Sequence, residues 1–300
     1  MDGVLVIDKP QGLTSHDVVA AARRLLDESR IGHTGTLDPL ATGVLPLAIG
    51  RATRLVRFLV SSDKDYDATI RFGVTTDSYD ITGAETSRTD AVPSREQLTQ
   101  ALTRLTGDYL QTPPAYSAKK IQGRRAYQLA RDEGHTVVLA AAPVHVARAD
   151  LVEMSGGRAR IALTCSAGFY VRSFAHALGE LVGTGACLDA LRRTRAGEFS
   201  LKTAMTLEGL GDPARVSSHL IPLGALLRGF PAVTITARGR EDAAHGREIE
   251  AGEYEPAGGL PDPRSPIPDW IRLLDGGGAL VGIATTGPRP GSLHPSVVLI

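Results

Sequence analysis

Between residues 66 and 72 the chain alternates without interruption: Tyr66, Ala68, Ile70 and Phe72 are separated by Asp67, Thr69 and Arg71. A period of two fits a strand with one buried and one wet face, and such a strand needs neighbours and a covering layer. Ile161, Leu163 and Cys165 repeat the alternation, and Val4 to Ile7 is a short apolar run that reads as a buried strand. The covering layer is written in helical spacing. Thr14 to Asp17 resembles a capping box with Asp in place of the usual Glu, and Val18, Val19, Ala22, Leu25 and Leu26 follow on one face. Ser94 with Gln97 opens a second helix, lined by Leu98, Ala101, Leu102 and Leu105, with Gly107 as its expected stop. Tyr170, Val171, Phe174, Ala177, Leu178, Leu181 and Val182 fit a third. Helices and strands are interspersed without a strict βαβ rhythm. The expected class is therefore α+β, a mixed, largely antiparallel sheet flanked by helices.

The pattern changes after residues 211–231, which read as a connector holding one short helix. Val233 with Ile235, Ile271 with Leu273, and Leu280 to Ile283 suggest short strands, separated by a segment holding Pro256, Pro261, Pro263, Pro266 and Pro268. The expected division is a domain over 1–229 and a small, mostly β domain over 230–300. The chain has 300 residues, of which 42% are hydrophobic and 22% charged, which excludes wholesale disorder. No apolar run approaches the roughly 18 residues of a membrane span, and the first residues lack a basic, then apolar, leader pattern. Cys165 and Cys187 are too few for a disulfide framework, and the histidines are dispersed, so no metal cluster is expected. These features predict a reduced, cytoplasmic protein, with nothing to demand more than a monomer. Lys and Arg total 33, as do Asp and Glu, so any basic surface must be local. Two clusters stand out: Lys119, Lys120, Arg124, Arg125 and Arg131 within 113–135, and Arg192, Arg193 and Arg195. By charge pattern alone, either cluster reads first as a solvated helix face.

The most unusual segment runs from Gly32 to Pro46, GHTGTLDPLATGVLP. It packs glycines, hydroxyls, one His and one Asp into a loop that matches neither a Walker loop nor a dinucleotide fingerprint. By local rules alone, Asp38 before Pro39 reads as a helix N-cap with Pro at N1, and His33 as an exposed loop histidine.

The segment resembles the catalytic loop of the TruB-type tRNA pseudouridine synthases. Other motifs occur in that family's order across residues 3–200: Lys9-Pro10-Gln11-Gly12, Lys64-Asp65-Tyr66, Gly73 to Asp77, Pro113 to Lys119, Gly123 to Arg131, Cys165 to Arg172 and Leu191-Arg192-Arg193. The C-terminal part resembles, more weakly, the small PUA-like RNA-binding domain of many bacterial members. The resemblance implies isomerisation of uridine 55 in the T loop of tRNA, with no cofactor and no obligate protein partner or guide RNA. The bond between ribose C1′ and uracil N1 breaks, the base turns, and C1′ joins C5. No atom is gained or lost, but a carboxylate is required beside the anomeric carbon, as nucleophile or as base.

The resemblance assigns that role to Asp38. Arg172 matches its partner; an adjacent cation favours a charged carboxylate, and a bidentate pair fixes its direction. Periodicity alone would leave Arg172 solvated near a helix start. Tyr66 matches the residue that stacks on the flipped uracil and could relay the C5 proton, although its strand face would also make it plain core. Tyr170 and Leu191 match further pocket walls, and His33 is expected to fill a gap in the opened T loop. Lys119, Lys120, Arg124 and Arg125, in an RNA-gripping insertion over about 113–136, and Arg192 and Arg193 would contact the RNA backbone. Two departures fall near this set. Phe169 stands where the family has a small hydroxyl residue, and His176-Ala177 replaces an acidic pair. Three other readings compete with the isomerase: a tRNA-folding RNA-binding module, a guide-dependent rRNA synthase, and a carboxylate-dependent hydrolase, which would need a second acid.

Overall fold

A computed structural model of the chain describes residues 1–116 and 139–257, residues 270–300, and the backbone of 120–121 and 124–125. Lys119, the side chains of Lys120, Arg124 and Arg125, and most of the Pro-rich segment lie outside the described residues. The two short stretches Lys120–Ile121 and Arg124–Arg125 pair antiparallel within the predicted insertion.

The chain builds one large mixed sheet. Its central path runs Ala204–Thr206, Gly3–Lys9, Thr42–Ile49, Ala186–Ala196, Lys64–Phe72, Arg158–Cys165, Ala142–Ser155 and Gly107–Gln111. Most pairs are antiparallel. The exceptions on this path are Gly3–Lys9 with Ala204–Thr206 and a two-residue parallel contact between Ala186–Ala196 and Thr42–Ile49. The class is α+β, as the interspersed periods predict.

Side-chain parity divides the core. Along Gly3–Lys9, Leu5 and Ile7 join one buried cluster and Val4 and Val6 another on the opposite face. Leu45, Leu47 and Ile49 repeat the first set, Val44 and Ala48 the second. Both faces of these strands are covered, which is why Val4 to Ile7 is apolar without alternation. Further along the sheet only one face is covered: Ala68, Ile70 and Phe72 are buried while Asp67, Thr69 and Arg71 are partly exposed.

Helices Ser15–Leu26, Arg95–Arg104 and Val171–Val182 cover the first face through Val18, Val19, Ala22, Leu98, Leu102, Phe174 and Leu178. Both predicted capping boxes form. Thr14 accepts from the Asp17 amide and Ser94 from the Gln97 amide, and each third residue returns a bond to the cap. Gly107 does not stop its helix. The helix ends at Arg104 with Leu105 as its C-cap, and Gly107, at φ 92°, opens the next strand.

The second face is covered by a separate five-stranded sheet with the order Tyr254–Pro256, Ala232–Ile235, Ile271–Leu274, Leu280–Thr286 and Leu293–Val298. Leu280, Ile283, Val297 and Leu299 share a core with Val4, Val44 and Leu55. Arginines from residues 50–57 bind the joint. Arg51 donates to the Leu299 carbonyl at 2.6 Å, Arg54 donates to the Val298 carbonyl, and the Arg57 guanidinium lies 5.2 Å from the Trp270 ring. The connector carries the expected short helix, Pro213–His219. Periodicity did not foresee strands Ala142–Ser155 and Ala186–Ala196 or helix Ala237–Ala244. Each of the two strands is broken by bulges, between Val146/Arg148 and Leu151/Glu153 in one and Leu188/Ala190 and Arg193/Arg195 in the other. Each bulge resets the parity that a two-residue period relies on.

Candidate active site

The Gly32–Pro46 segment leaves the sheet after strand Ile31–His33 and returns as Thr42–Ile49. Between them no helix forms. Asp38 is not an N-cap: its carbonyl accepts from Ala41 N at 3.0 Å in a tight turn, and its carboxylate is left to point elsewhere. The turn is anchored from below. Ser15 Oγ accepts from Leu37 N at 2.8 Å, and Gly12 N donates to the Pro39 carbonyl at 2.8 Å. The first helix and the Lys9–Gly12 turn therefore both grip the loop on either side of Asp38.

The Asp38 carboxylate meets Arg172. Nε lies 2.8 Å from Oδ2 and Nη2 lies 3.2 Å from Oδ1, a two-point contact 134 residues apart in sequence. The Arg172 side chain is 8% exposed and that of Asp38 38%, so the cation is sunk and the carboxylate faces the opening. Arg172 is not the solvated residue that periodicity suggested. Its remaining donors reach the Ser78 carbonyl at 3.1 Å and the Tyr116 carbonyl at 2.9 Å, and the buried Asp80 carboxylate stands 3.8 Å from Nε. A buried guanidinium with this many acceptors has little freedom to turn.

Beside the pair is an open pocket of about 340 Å³, lined by Asp38, Lys64, Tyr66, Tyr170, Arg172 and Leu191 among others. Such a volume suits one small planar group. Sheet register brings its walls together: Leu191 pairs with Ala68 and Arg193 with Tyr66 across adjacent strands. Tyr66 is half-buried, with its ring against the main core. Burial pushes its phenol upward, with Arg193 acting in the opposite direction, so the hydroxyl keeps its proton at neutral pH. Tyr170 caps the Arg172 helix. Its backbone is held at both ends by buried Gln111, which accepts from Tyr170 N at 2.8 Å and donates to its carbonyl at 3.1 Å. His33 is outside the pocket lining, on the strand that leads to it. Its Nδ1 accepts from Gly35 N at 3.3 Å and its ring meets His16 edge-on at 5.6 Å. Phe169 lines the pocket and tilts against Phe174.

The basic residues expected on RNA divide. Arg193 is 1% exposed and donates inward, to the carbonyls of Val44, Gly35 and Thr36 at 2.7, 3.1 and 3.5 Å. A guanidinium so enclosed has no access to a phosphate. Arg193 ties the loop to the sheet instead. Gly43 makes this close approach possible: it sits at φ 98°, and a Cβ there would stand 2.2 Å from the Arg193 carbonyl oxygen. Arg192 is partly exposed but paired with Asp8 through two contacts, at 3.1 and 2.8 Å.

Sequence reasoning passed over several residues at the site. Asp80, Ser78, Gln111 and the Tyr116 carbonyl complete the Arg172 and Tyr170 environments, and each comes from a distant segment. Lys9 and Lys64 stood in the recognised motifs without a role. Both are buried, and burial pushes each ammonium down to about 8. Lys9 donates to the Pro10 and Leu13 carbonyls, and Asp38 is near enough to oppose the fall of its pKa. Lys64 and Arg193 line the same pocket, so that three buried cations lie around the site, of which Lys9 acts on Asp38. Among the described residues no His, Cys, Asp or Glu group is placed to hold a metal, and no helix is long and apolar enough to cross a membrane.

The fold is similar across 99% of the chain to two solved structures. One is a chain of a Cbf5–Nop10–Gar1 complex (TM-score 0.75, 25% identity, 85% of that chain). The other is a chain of an H/ACA RNP bound to a substrate RNA containing 2′-deoxyuridine (TM-score 0.74, 23% identity, 85% of that chain). The architecture is that of a pseudouridine synthase, an isomerase acting on RNA. Residues 23–171 match the family model of the TruB family pseudouridylate synthase N-terminal domain, and 172–228 that of the tRNA pseudouridylate synthase B C-terminal domain. Proteins named tRNA pseudouridine synthase B are similar along most of the chain. That of Solibacter usitatus is 43% identical over 303 residues and covers all of both chains. That of Pseudomonas aeruginosa is 38% identical over 289 residues, 94% of this chain and 91% of the other. The chain belongs to the TruB family of tRNA pseudouridine synthases.

Proposed function

We propose that the protein converts uridine 55 in the T loop of tRNA to pseudouridine, with Asp38 as the reacting carboxylate. The observation that carries this reading is the Asp38–Arg172 contact at the mouth of a pocket walled by Tyr66, Tyr170 and Leu191. A buried cation directs an accessible carboxylate at a space sized for one base. The substrate uridine must leave the RNA stack to enter it. Tyr66 stacks on the flipped uracil, Leu191 and Tyr170 close the walls, and the protonated Tyr66 phenol is available for proton traffic at C5. His33, outside the pocket, fills the space left in the opened loop.

Lys119, Lys120, Arg124 and Arg125 of the insertion grip the tRNA backbone, together with Arg192 once Asp8 releases it. Residues 230–300 form a PUA-like RNA-binding domain behind the catalytic domain of residues 1–229. The enzyme works in the cytoplasm on free tRNA, without a guide RNA or protein partner. Purified protein and an unmodified tRNA transcript test the position, the reaction and the independence of a partner together, by carbodiimide-blocked primer extension. A stop at position 55 with wild type and none with Asp38→Asn is expected. Tight tRNA binding without product would instead favour a tRNA-folding module. Activity appearing only on addition of a guide RNA and its proteins would favour the guide-dependent reading.

A further inference from the structure

The turn that supplies Ser78 and Asp80 to Arg172 is itself braced at a second point. The Tyr79 and His176 rings lie face to face, with centroids 4.0 Å apart and planes 7° from parallel. Tyr79 holds φ at 64°, a conformation that bulky residues avoid unless their surroundings require it. The turn is tightly knit around it. Thr76 Oγ1 donates to the Asp80 carbonyl at 2.7 Å, Asp80 Oδ1 accepts from Ser78 Oγ and Thr82 N at 3.0 Å each, and Leu188 N donates to the Tyr79 carbonyl at 2.9 Å. Backbone bonds therefore define the turn, but the Tyr79 ring is left projecting toward the helix.

His176 receives that ring. It stands four residues after Arg172 in helix Val171–Val182, hence on the same face one turn along. The helix touches the turn twice, through hydrogen bonds and charge at Arg172 and through the ring stack at His176. The Nδ1 of His176 is buried and has no hydrogen-bond partner among the described residues, so the ring acts through its face.

We propose that the Tyr79–His176 stack is a positioning device: it locks the 76–82 turn against the helix and so sets the direction in which Arg172 presents itself to Asp38. The inference rests on Asp38 being the reacting carboxylate. Neither ring lines the pocket, so the stack acts through Arg172 and not on the substrate.

The test uses the full chain and an unmodified tRNA transcript, with tRNA Kd and the single-turnover rate at saturating enzyme measured separately. His176→Ala and Tyr79→Gly are expected to slow the chemical step about tenfold or more while leaving Kd within about twofold. His176→Phe, which can still stack, is expected to stay within about twofold of wild type. Glycine accepts a positive φ without strain, so a slow Tyr79→Gly enzyme cannot be blamed on backbone distortion. If His176→Ala does not fold, Tyr79→Gly decides alone. Wild-type rates in folded His176→Ala or in Tyr79→Gly would overturn the proposal, as would a His176→Phe enzyme as slow as His176→Ala. Loss of the Asp38 reading looks different: product would then form with Asp38→Asn, whatever the stack variants do.

Discussion

Arg193 Nη2 donates to the Gly35 carbonyl at 3.1 Å, and the same guanidinium reaches Thr36 and Val44. A cation with no surface of its own thus fastens the loop three residues before Asp38 to the strand that pairs with Tyr66. Replacing it by methionine keeps most of the volume but strips the buried Val44 carbonyl and the half-buried Gly35 carbonyl of their donor, at about 1–3 kcal/mol for a group that water cannot reach. Arg193→Met is expected to lose at least about 2 kcal/mol of stability in urea unfolding. The salt dependence of tRNA binding should be unchanged. A stable Arg193→Met protein with a shallower salt slope would restore the phosphate role for this residue.

Lysine cannot replace Arg172. A single ammonium does not span both Asp38 oxygens and the Ser78 and Tyr116 carbonyls. Arg172→Lys is expected to slow turnover about 100-fold, the scale set by small misplacements of a reacting group. Asp38→Ala should abolish turnover. Both should bind tRNA within about tenfold of wild type, roughly 1.4 kcal/mol. Quench-flow product formation and filter binding separate the two effects, and an affinity loss well beyond tenfold would mean that the pair serves binding and not chemistry.

Cys165 and Cys187 are buried, and burial pushes their thiols up to about 12 and about 11. In the native protein at pH 8 neither should react with a thiol-specific disulfide reagent, whereas both should react in urea. The pH dependence of stability follows. Above the ordinary thiol range near 9 the unfolded chain has released these protons while the folded chain still holds them, so the unfolded state binds fewer. The two thiols therefore contribute a loss of stability as pH rises from about 9 to 11, against Lys9 and Lys64, whose lowered ammonium pKa favours the folded chain as pH rises from about 8 to 10.5. Relative to wild type, Cys165→Ala with Cys187→Ala should lose less stability between about pH 9 and 11; identical pH profiles for the two proteins would remove the thiols from the balance.

The insertion makes a separate prediction. If Lys119 and Arg124 contact phosphates, replacing both with alanine removes up to about two contacts. The slope of log K against log salt should then shrink by about 0.7–0.9 per contact, with the largest loss of affinity at low salt. The rate of the bound complex should be unaffected. An unchanged slope would remove these two residues from the interface.

Much of this architecture is legible because local rules suffice for it. The Tyr66–Phe72 and Ile161–Cys165 alternations, the Thr14 and Ser94 capping boxes and the Arg172 helix need only neighbours a few residues away. Where the local rule had a competitor, it failed. Asp38-Pro39 has the composition of a helix start, but the Gly12 and Ser15 contacts from the first helix and its preceding turn hold the loop open. Ala142–Ser155 and Ala186–Ala196 hid behind bulges that break parity. Arg193 sits in a basic triplet that composition reads as surface, and only the neighbouring strand shows that its acceptors lie inside.

By itself, then, the sequence determined the α+β class, the identities and order of the motifs, and the reactive residue types, because these depend on short-range periodicity and on the residues themselves. The tertiary structure alone decided which arginine faces a carboxylate and which is sunk beneath the loop, and that Ser78, Asp80, Gln111 and the Tyr79–His176 stack stand around the site. Ser78, Tyr79, Asp80 and Gln111 are 40 to 94 residues from Asp38 or Arg172 along the chain, and Asp38 and Arg172 are themselves 134 apart. No local pattern carries such distances; they are set by sheet register and by the helix that packs across it.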